Sequence, residues 1–199
     1  MRIGVLGTGT VGRTIAAKLR ELGHDVLVGS RTAGDGAVPF PDAAAHGELV
    51  FNCTAGMATL EALRAAGEEN LTGKVLVDVT LPLDFSQGSP PRLFVCNDDS
   101  LGEQIQRALP EARVVKTLNT VNAGVMVEPI PGTNLFVCGN EKDAKAQVGE
   151  LLQSFGWSAD ALIDLGDISS ARGTEMYLPL WIRLMGALVT ARFNIAVVQ

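Results

Sequence analysis

Short apolar runs alternate along the chain with longer stretches that are apolar every third or fourth residue. This is the pattern of strand–helix units wound into a parallel sheet. The runs predict strands at residues 2–6, 25–29, 49–53, 75–79, 113–117, 135–137 and 161–165. Ile15, Ala16, Leu19 and Leu22 share one face of a helix predicted over 11–21, with Gly23 as its stop. Further helices are predicted over 58–66, 101–109 and 143–155. Between Arg31 and Leu49, Gly34, Gly36, Pro39 and Pro41 leave room only for a loop and a short helix near 42–46. A last helix is predicted from about 171 to 191; Pro179 and Arg183 interrupt its apolar run, which favours a buried or dimer-forming helix over a membrane span. The expected architecture is α/β, a Rossmann-type doubly wound and mainly parallel sheet over residues 1–165, with a short helical C-terminal appendage over 166–199.

Composition narrows the partners. The chain has 199 residues, of which 47% are hydrophobic and 19% charged, an ordinary globular balance. A formal net charge of -6 argues against nucleic acid or an anionic membrane, either of which calls for a basic face. Ile3-Gly4-Val5-Leu6 is too short for a signal core, so the expected location is cytoplasmic. Cys53, Cys96 and Cys138 lie in or beside apolar runs and read as core thiols. His24 and His46 read as surface residues, and no metal-ligand cluster is expected.

Chemistry enters at the first predicted turn. Gly7-Thr8-Gly9-Thr10-Val11-Gly12 is a G-x-G-x-x-G between strand and helix, the order that places a dinucleotide pyrophosphate at a helix N-terminus. At the end of the next strand an acidic residue would hold free ribose hydroxyls; here the chain reads Ser30-Arg31-Thr32, a guanidinium fork and two hydroxyls suited to a 2′-phosphate. NADP(H) is therefore the expected cofactor, and residues 1–165 its binding domain.

The loops that follow the strands ending near Cys53, Val79 and Thr117 should face the nicotinamide. They carry Thr54-Ala55-Gly56-Met57, Thr80-Leu81-Pro82-Leu83 and Leu118-Asn119-Thr120-Val121-Asn122, with no histidine, acidic pair or activated nucleophile. No side chain is therefore assigned a catalytic role. Lys116, in the Val-Val-Lys-Thr alternation, reads as an edge or solvent-facing residue. Such a site suits hydride transfer to a second flat redox ring, which needs stacking and dryness more than a proton donor.

Several motifs resemble the NADPH-dependent oxidoreductases that use the deazaflavin coenzyme F-420: the glycine loop, Val28-Gly29-Ser30-Arg31-Thr32, Val114-Val115-Lys116-Thr117-Leu118-Asn119-Thr120, and Asp164-Leu165-Gly166 with Ala171-Arg172 and Glu175. The resemblance implies hydride exchange between NADP(H) and the deazaflavin. By position, Thr8, Gly9, Thr10 and Val11 would hold the pyrophosphate, and Ser30, Arg31 and Thr32 the 2′-phosphate. Thr54, Ala55, Asn119 and Thr120 would border the two rings, with residues 166–199 completing the second cleft or a homodimer interface. The segment after Thr32 is shorter than the family pattern. A reductase of the β-hydroxyacid dehydrogenase or imine reductase type is the first rival, although only 34 residues follow Leu165, too few for its large helical domain. A reductase of a flavin and a non-enzymatic NADP(H) sensor are the others.

Overall fold

The structure, a computed structural model, describes residues 1–198. Its elements are β1 (Arg2–Leu6), α1 (Thr10–Glu21), β2 (Asp25–Ser30), β3 (Val38–Pro39), α2 (Phe40–His46), β4 (Leu49–Asn52), α3 (Thr59–Ala66), β5 (Val75–Asp78), β6 (Leu83–Asp84), β7 (Arg92–Leu93), α4 (Leu101–Ala108), β8 (Arg113–Thr117), α5 (Ala123–Val127), β9 (Leu135–Cys138), α6 (Lys142–Ser154), β10 (Leu162–Asp164), α7 (Ala171–Met176) and α8 (Leu178–Leu188).

One eight-stranded sheet runs in the order β10-β9-β8-β5-β4-β1-β2-β3. From β3 to β8 every neighbouring pair is parallel; β9 then pairs antiparallel with β8, and β10 follows β9 in parallel. The sequence order of strands reverses between β1 and β4, the switch point where such sheets open a crevice beyond their carboxyl ends. β4 and β5 are buried at every position, which explains their unbroken apolar runs: helices cover both faces of the sheet.

Strand alternation sorts the core into two layers. Ile3, Val5, Leu49, Phe51, Val75 and Val77 face α1 and α6, while Val50, Leu76 and Val114 face α2, α3 and α4. Phe51 is fully buried, and truncating it to alanine would cost about 3–5 kcal/mol.

The segment after Thr32 is the expected loop and short helix with a two-residue strand added, and the last helix departs from the sequence pattern. After Thr32 the chain turns tightly at Asp35 and Gly36, both at positive φ (51° and 76°), closed by paired bonds between Gly34 and Ala37, and then forms β3 and α2. The last helix is not continuous: α7 ends at Met176, Tyr177 joins it to α8, and Val189, in the left-handed region, ends α8. Pro179 has no N–H to donate one turn back, so the hydrogen-bonded run is interrupted there and resumes as α8 with the proline in its first turn. Beyond α8 the tail lies along Asn134, whose N–H donates to the Ile195 carbonyl and whose carbonyl accepts from the Asn194 amide. Only Leu178 of α8 is buried, and Leu180 and Leu188 are exposed. Among the described residues no helix is long and apolar enough to cross a membrane.

Candidate functional site

The glycine loop takes its shape from close approaches. Gly7 has φ 120°, and a side chain there would lie 2.6 Å from the Cys53 carbonyl oxygen. At Gly12 a Cβ would meet the Gly7 carbonyl oxygen at 2.1 Å, so the first turn of α1 rests directly on the loop. A Cβ at Gly9 would meet nothing within 4 Å, which leaves open space at the mouth of the turn. No side chain caps α1 and its first turn carries no acid, so its free N–H groups and dipole remain available to an anion.

Gly7, Thr8, Gly9, Ser30, Arg31, Thr32, Thr54 and Ala55 line one groove of about 480 Å³ at the carboxyl ends of β1, β2 and β4. Residues of α3 form its far wall, among them Glu61, the one carboxylate of that lining among the described residues. Thr10, Val11 and Gly12 form the first turn of α1 behind the loop. The Ser30 hydroxyl bonds to the Thr32 carbonyl, holding the turn beyond β2. Arg31 is exposed and makes no ion pair among the described residues, so its guanidinium is free for a ligand. Asn119 and Thr120 are not in this lining; both are buried just past β8. Asn119 follows Leu118, which holds a left-handed φ of 64°, and its side-chain N–H donors lack a protein partner.

Lys116 contradicts the sequence reading: it is not solvent-facing but 1% exposed. β8 lies inside the sheet, and position 116 points to the same face as Val114, opposite Asp78 on β5. The Lys116 Nζ donates to Asp78 Oδ2 at 2.8 Å and to the Thr80 carbonyl at 2.6 Å, and pairs with Glu175 Oε1 at 2.8 Å. All three ammonium protons are thereby engaged. Burial pulls the ammonium pKa down, but Asp78 and Glu175 outweigh it and push the pKa up, so Lys116 stays charged. It therefore has no proton free for a carbonyl substrate.

The network continues in both directions. Asp78 Oδ1 accepts from Asn52, from the Thr80 hydroxyl and from the Thr80 amide; Asn52 in turn meets Thr59 and the groove residue Thr54. On the other side Glu175 accepts the Leu101 and Gly102 amides at 2.8 and 3.0 Å, capping α4 from α7. Arg172 adds a forked pair to Glu103 at 2.6 and 2.8 Å. Asn52 and Asp78 were missed in the sequence, although an aspartate closing Val75-Leu76-Val77 was a visible signal of a buried partner.

Of the remaining candidates, Cys53 lines the groove and the others lie outside it. Cys138 is buried and burial pushes its thiol up to about 12; burial also raises Cys53, which is half-buried beside Gly12. Cys96 is half-buried outside both core layers, a correction to its reading as a core thiol. His24 and His46 are both half-buried rather than fully exposed, and the His46 ring lies 3.2 Å from the Asp25 carbonyl. Among the described residues no group of three or more His, Cys, Asp or Glu could hold a metal ion.

The family model for NADP oxidoreductase, coenzyme F420-dependent, matches residues 2–82. A crystal structure from Arthrobacter sp. FB24, provisionally assigned as an F420-dependent NADP reductase, is 51% identical with a TM-score of 0.95 and full coverage of both chains. The F420-dependent NADP reductase of Methanocaldococcus jannaschii is 32% identical over 147 residues, covering 72% of this chain and 64% of that protein. Metalloreductase STEAP3 of Rattus norvegicus is 28% identical over 195 residues, and the chain spans only 38% of its length. An imine reductase from Aspergillus terreus, 19% identical with a TM-score of 0.67, shares the fold.

Proposed function

The chain belongs to the F420-dependent NADP oxidoreductase family, and on that premise we propose that it transfers hydride between NADP(H) and the deazaflavin coenzyme F-420. One observation carries the cofactor half of this reading. The groove sets a free arginine and two hydroxyl residues at the end of β2, facing the uncapped N-terminus of α1, with no carboxylate on that strand end. A 2′-phosphate fits such a set, and a bare ribose does not require it.

In this reading Thr8, Gly9, Thr10 and Val11 hold the pyrophosphate through backbone N–H groups, Gly7 and Gly12 shape the turn that presents them, and Ser30, Arg31 and Thr32 hold the 2′-phosphate. Thr54 and Ala55 border the nicotinamide. Asn119 and Thr120 border the second ring, where the unpartnered Asn119 amide offers donors to a ring carbonyl. NADPH supplies a hydride, and the oxidised deazaflavin takes it up together with a solvent proton. The protein orients the rings and excludes water; the engagement of all three Lys116 protons supports a site without a side-chain acid. Residues 166–199 close the second-ligand side, and the apolar exposed face of α8 fits a homodimer working in the cytoplasm.

The test is an anaerobic absorbance assay with NADPH and, in parallel, oxidised coenzyme F-420, FMN, and a panel of ketones and imines. Fast, saturable loss of the deazaflavin band supports the proposal. Turnover of a ketone or imine instead would move the chain to the rival reductase class, and nucleotide binding without turnover would favour a sensor.

A further inference from the structure

The groove does not end at β2. Past Thr8, Ser30 and Thr32, which line both spaces, it opens into a second hollow of about 710 Å³ between α1 and the tight turn after β2. Two arginines of α1, Arg13 and Arg20, line this hollow. They stand seven residues apart, two helical turns, and so share a face. Their situations differ. Arg20 is tethered, its guanidinium donating to the Val26 carbonyl at 3.0 Å. Arg13 is exposed and, among the described residues, has neither an ion pair nor a side-chain hydrogen bond, although its backbone N–H closes the first turn of α1 on the Gly9 carbonyl.

We infer that Arg13 is a second specificity-determining cation for the 2′-phosphate, gripping from the α1 side what Arg31 grips from the β2 side. The inference rests on the NADP(H) reading of the groove. Charge balance motivates it: a phosphate monoester carries about two negative charges near neutrality, and Arg31 supplies one positive charge. The two hydroxyl residues nearest that phosphate, Ser30 and Thr32, line both spaces, so a group seated between them is open to Arg13 as well as to Arg31. The short segment after Thr32 turns back at Asp35 and Gly36 and forms the wall of the hollow that faces α1. Asp35, the one carboxylate in that lining among the described residues, stands at the tip of the turn and opposes the phosphate.

The test compares dissociation constants of NADPH and NADH, by fluorescence titration, for the wild type and for Arg13→Ala, Arg13→Lys, Arg31→Ala and Asp35→Asn. Arg13 is solvent-exposed, so folding is not at stake. Loss of one charge-assisted contact is expected to weaken NADPH about tenfold in Arg13→Ala while leaving NADH unchanged. Arg13→Lys should recover part of that loss, and Asp35→Asn should tighten NADPH alone. An NADPH constant within about twofold of wild type in Arg13→Ala, or equal weakening of both nucleotides, overturns the inference. Selectivity lost in Arg31→Ala but kept in Arg13→Ala would refute the role of Arg13 and leave the cofactor reading standing. A wild type that binds neither nucleotide would refute both.

Discussion

The two ends of the site are held by opposite physics. The nucleotide groove at the ends of β1, β2 and β4 is open, shaped by Gly7 and Gly12, and offers an anion an uncapped helix start and a free arginine, with Glu61 on its far wall. The far side, where β5, β8, α4 and α7 meet, is sealed and rests on a buried ammonium between two carboxylates. An anion site assembled from neighbouring residues must stay unsatisfied until its ligand arrives. A buried charge cluster must be satisfied at all times, because an unpaired charge away from water is costly.

The comparison breaks most visibly at Lys116. Replacing it with methionine leaves Asp78 and Glu175 buried without their cation, an expected loss of about 3–5 kcal/mol, or roughly 10 °C in Tm by calorimetry. Adding Glu175→Gln should restore part of that loss by removing one of the stranded charges. If Lys116→Met melts like the wild type, the triad is not what joins α7 to the sheet.

On the open side, Gly12→Ala drives a methyl group into the Gly7 carbonyl and should cost about 1–3 kcal/mol while also weakening nucleotide binding. Arg31→Ala is expected to do the reverse of Lys116→Met. Its Tm without ligand should match wild type, while NADPH affinity falls roughly 10–100-fold and NADH affinity holds, as read by titration.

The smallest effect lies at the surface ahead of α4. The Arg107 guanidinium, bonded to Asp99 at 2.7 and 3.0 Å, holds that carboxyl down to about 2. A depressed carboxylate stabilises the fold fully above its ordinary pKa of 3.8, and the contribution disappears as pH falls towards 2. Both side chains are partly exposed, so the pair contributes under about 1 kcal/mol. Asp99→Asn should flatten the stability profile between these pH values.

The same contrast explains what was legible in the sequence. Gly7 to Gly12 and Ser30 to Thr32 announce themselves because strand, turn and helix are contiguous, and local geometry dictates the residue types. The groove brings most of them together as the motif predicts. Lys116, Asp78 and Glu175 are 38 and 59 residues from one another along the chain. Alternation in Val114-Val115-Lys116-Thr117 shows that position 116 shares a face with Val114, but not which face is covered. That depends on α7, whose break from α8 hangs on Pro179. The elements β3, β6, β7 and α5 span two to five residues each and leave no periodic trace.

The most direct test of the central claim follows the hydrogen itself. NADPH deuterated at the nicotinamide C4 position would be mixed anaerobically with the protein and oxidised deazaflavin, and the reduced product analysed by mass spectrometry. Direct ring-to-ring transfer predicts one deuterium in the reduced deazaflavin from one of the two C4 faces and none from the other. A reduced product carrying only solvent hydrogen, or no reduction at all, would contradict the account.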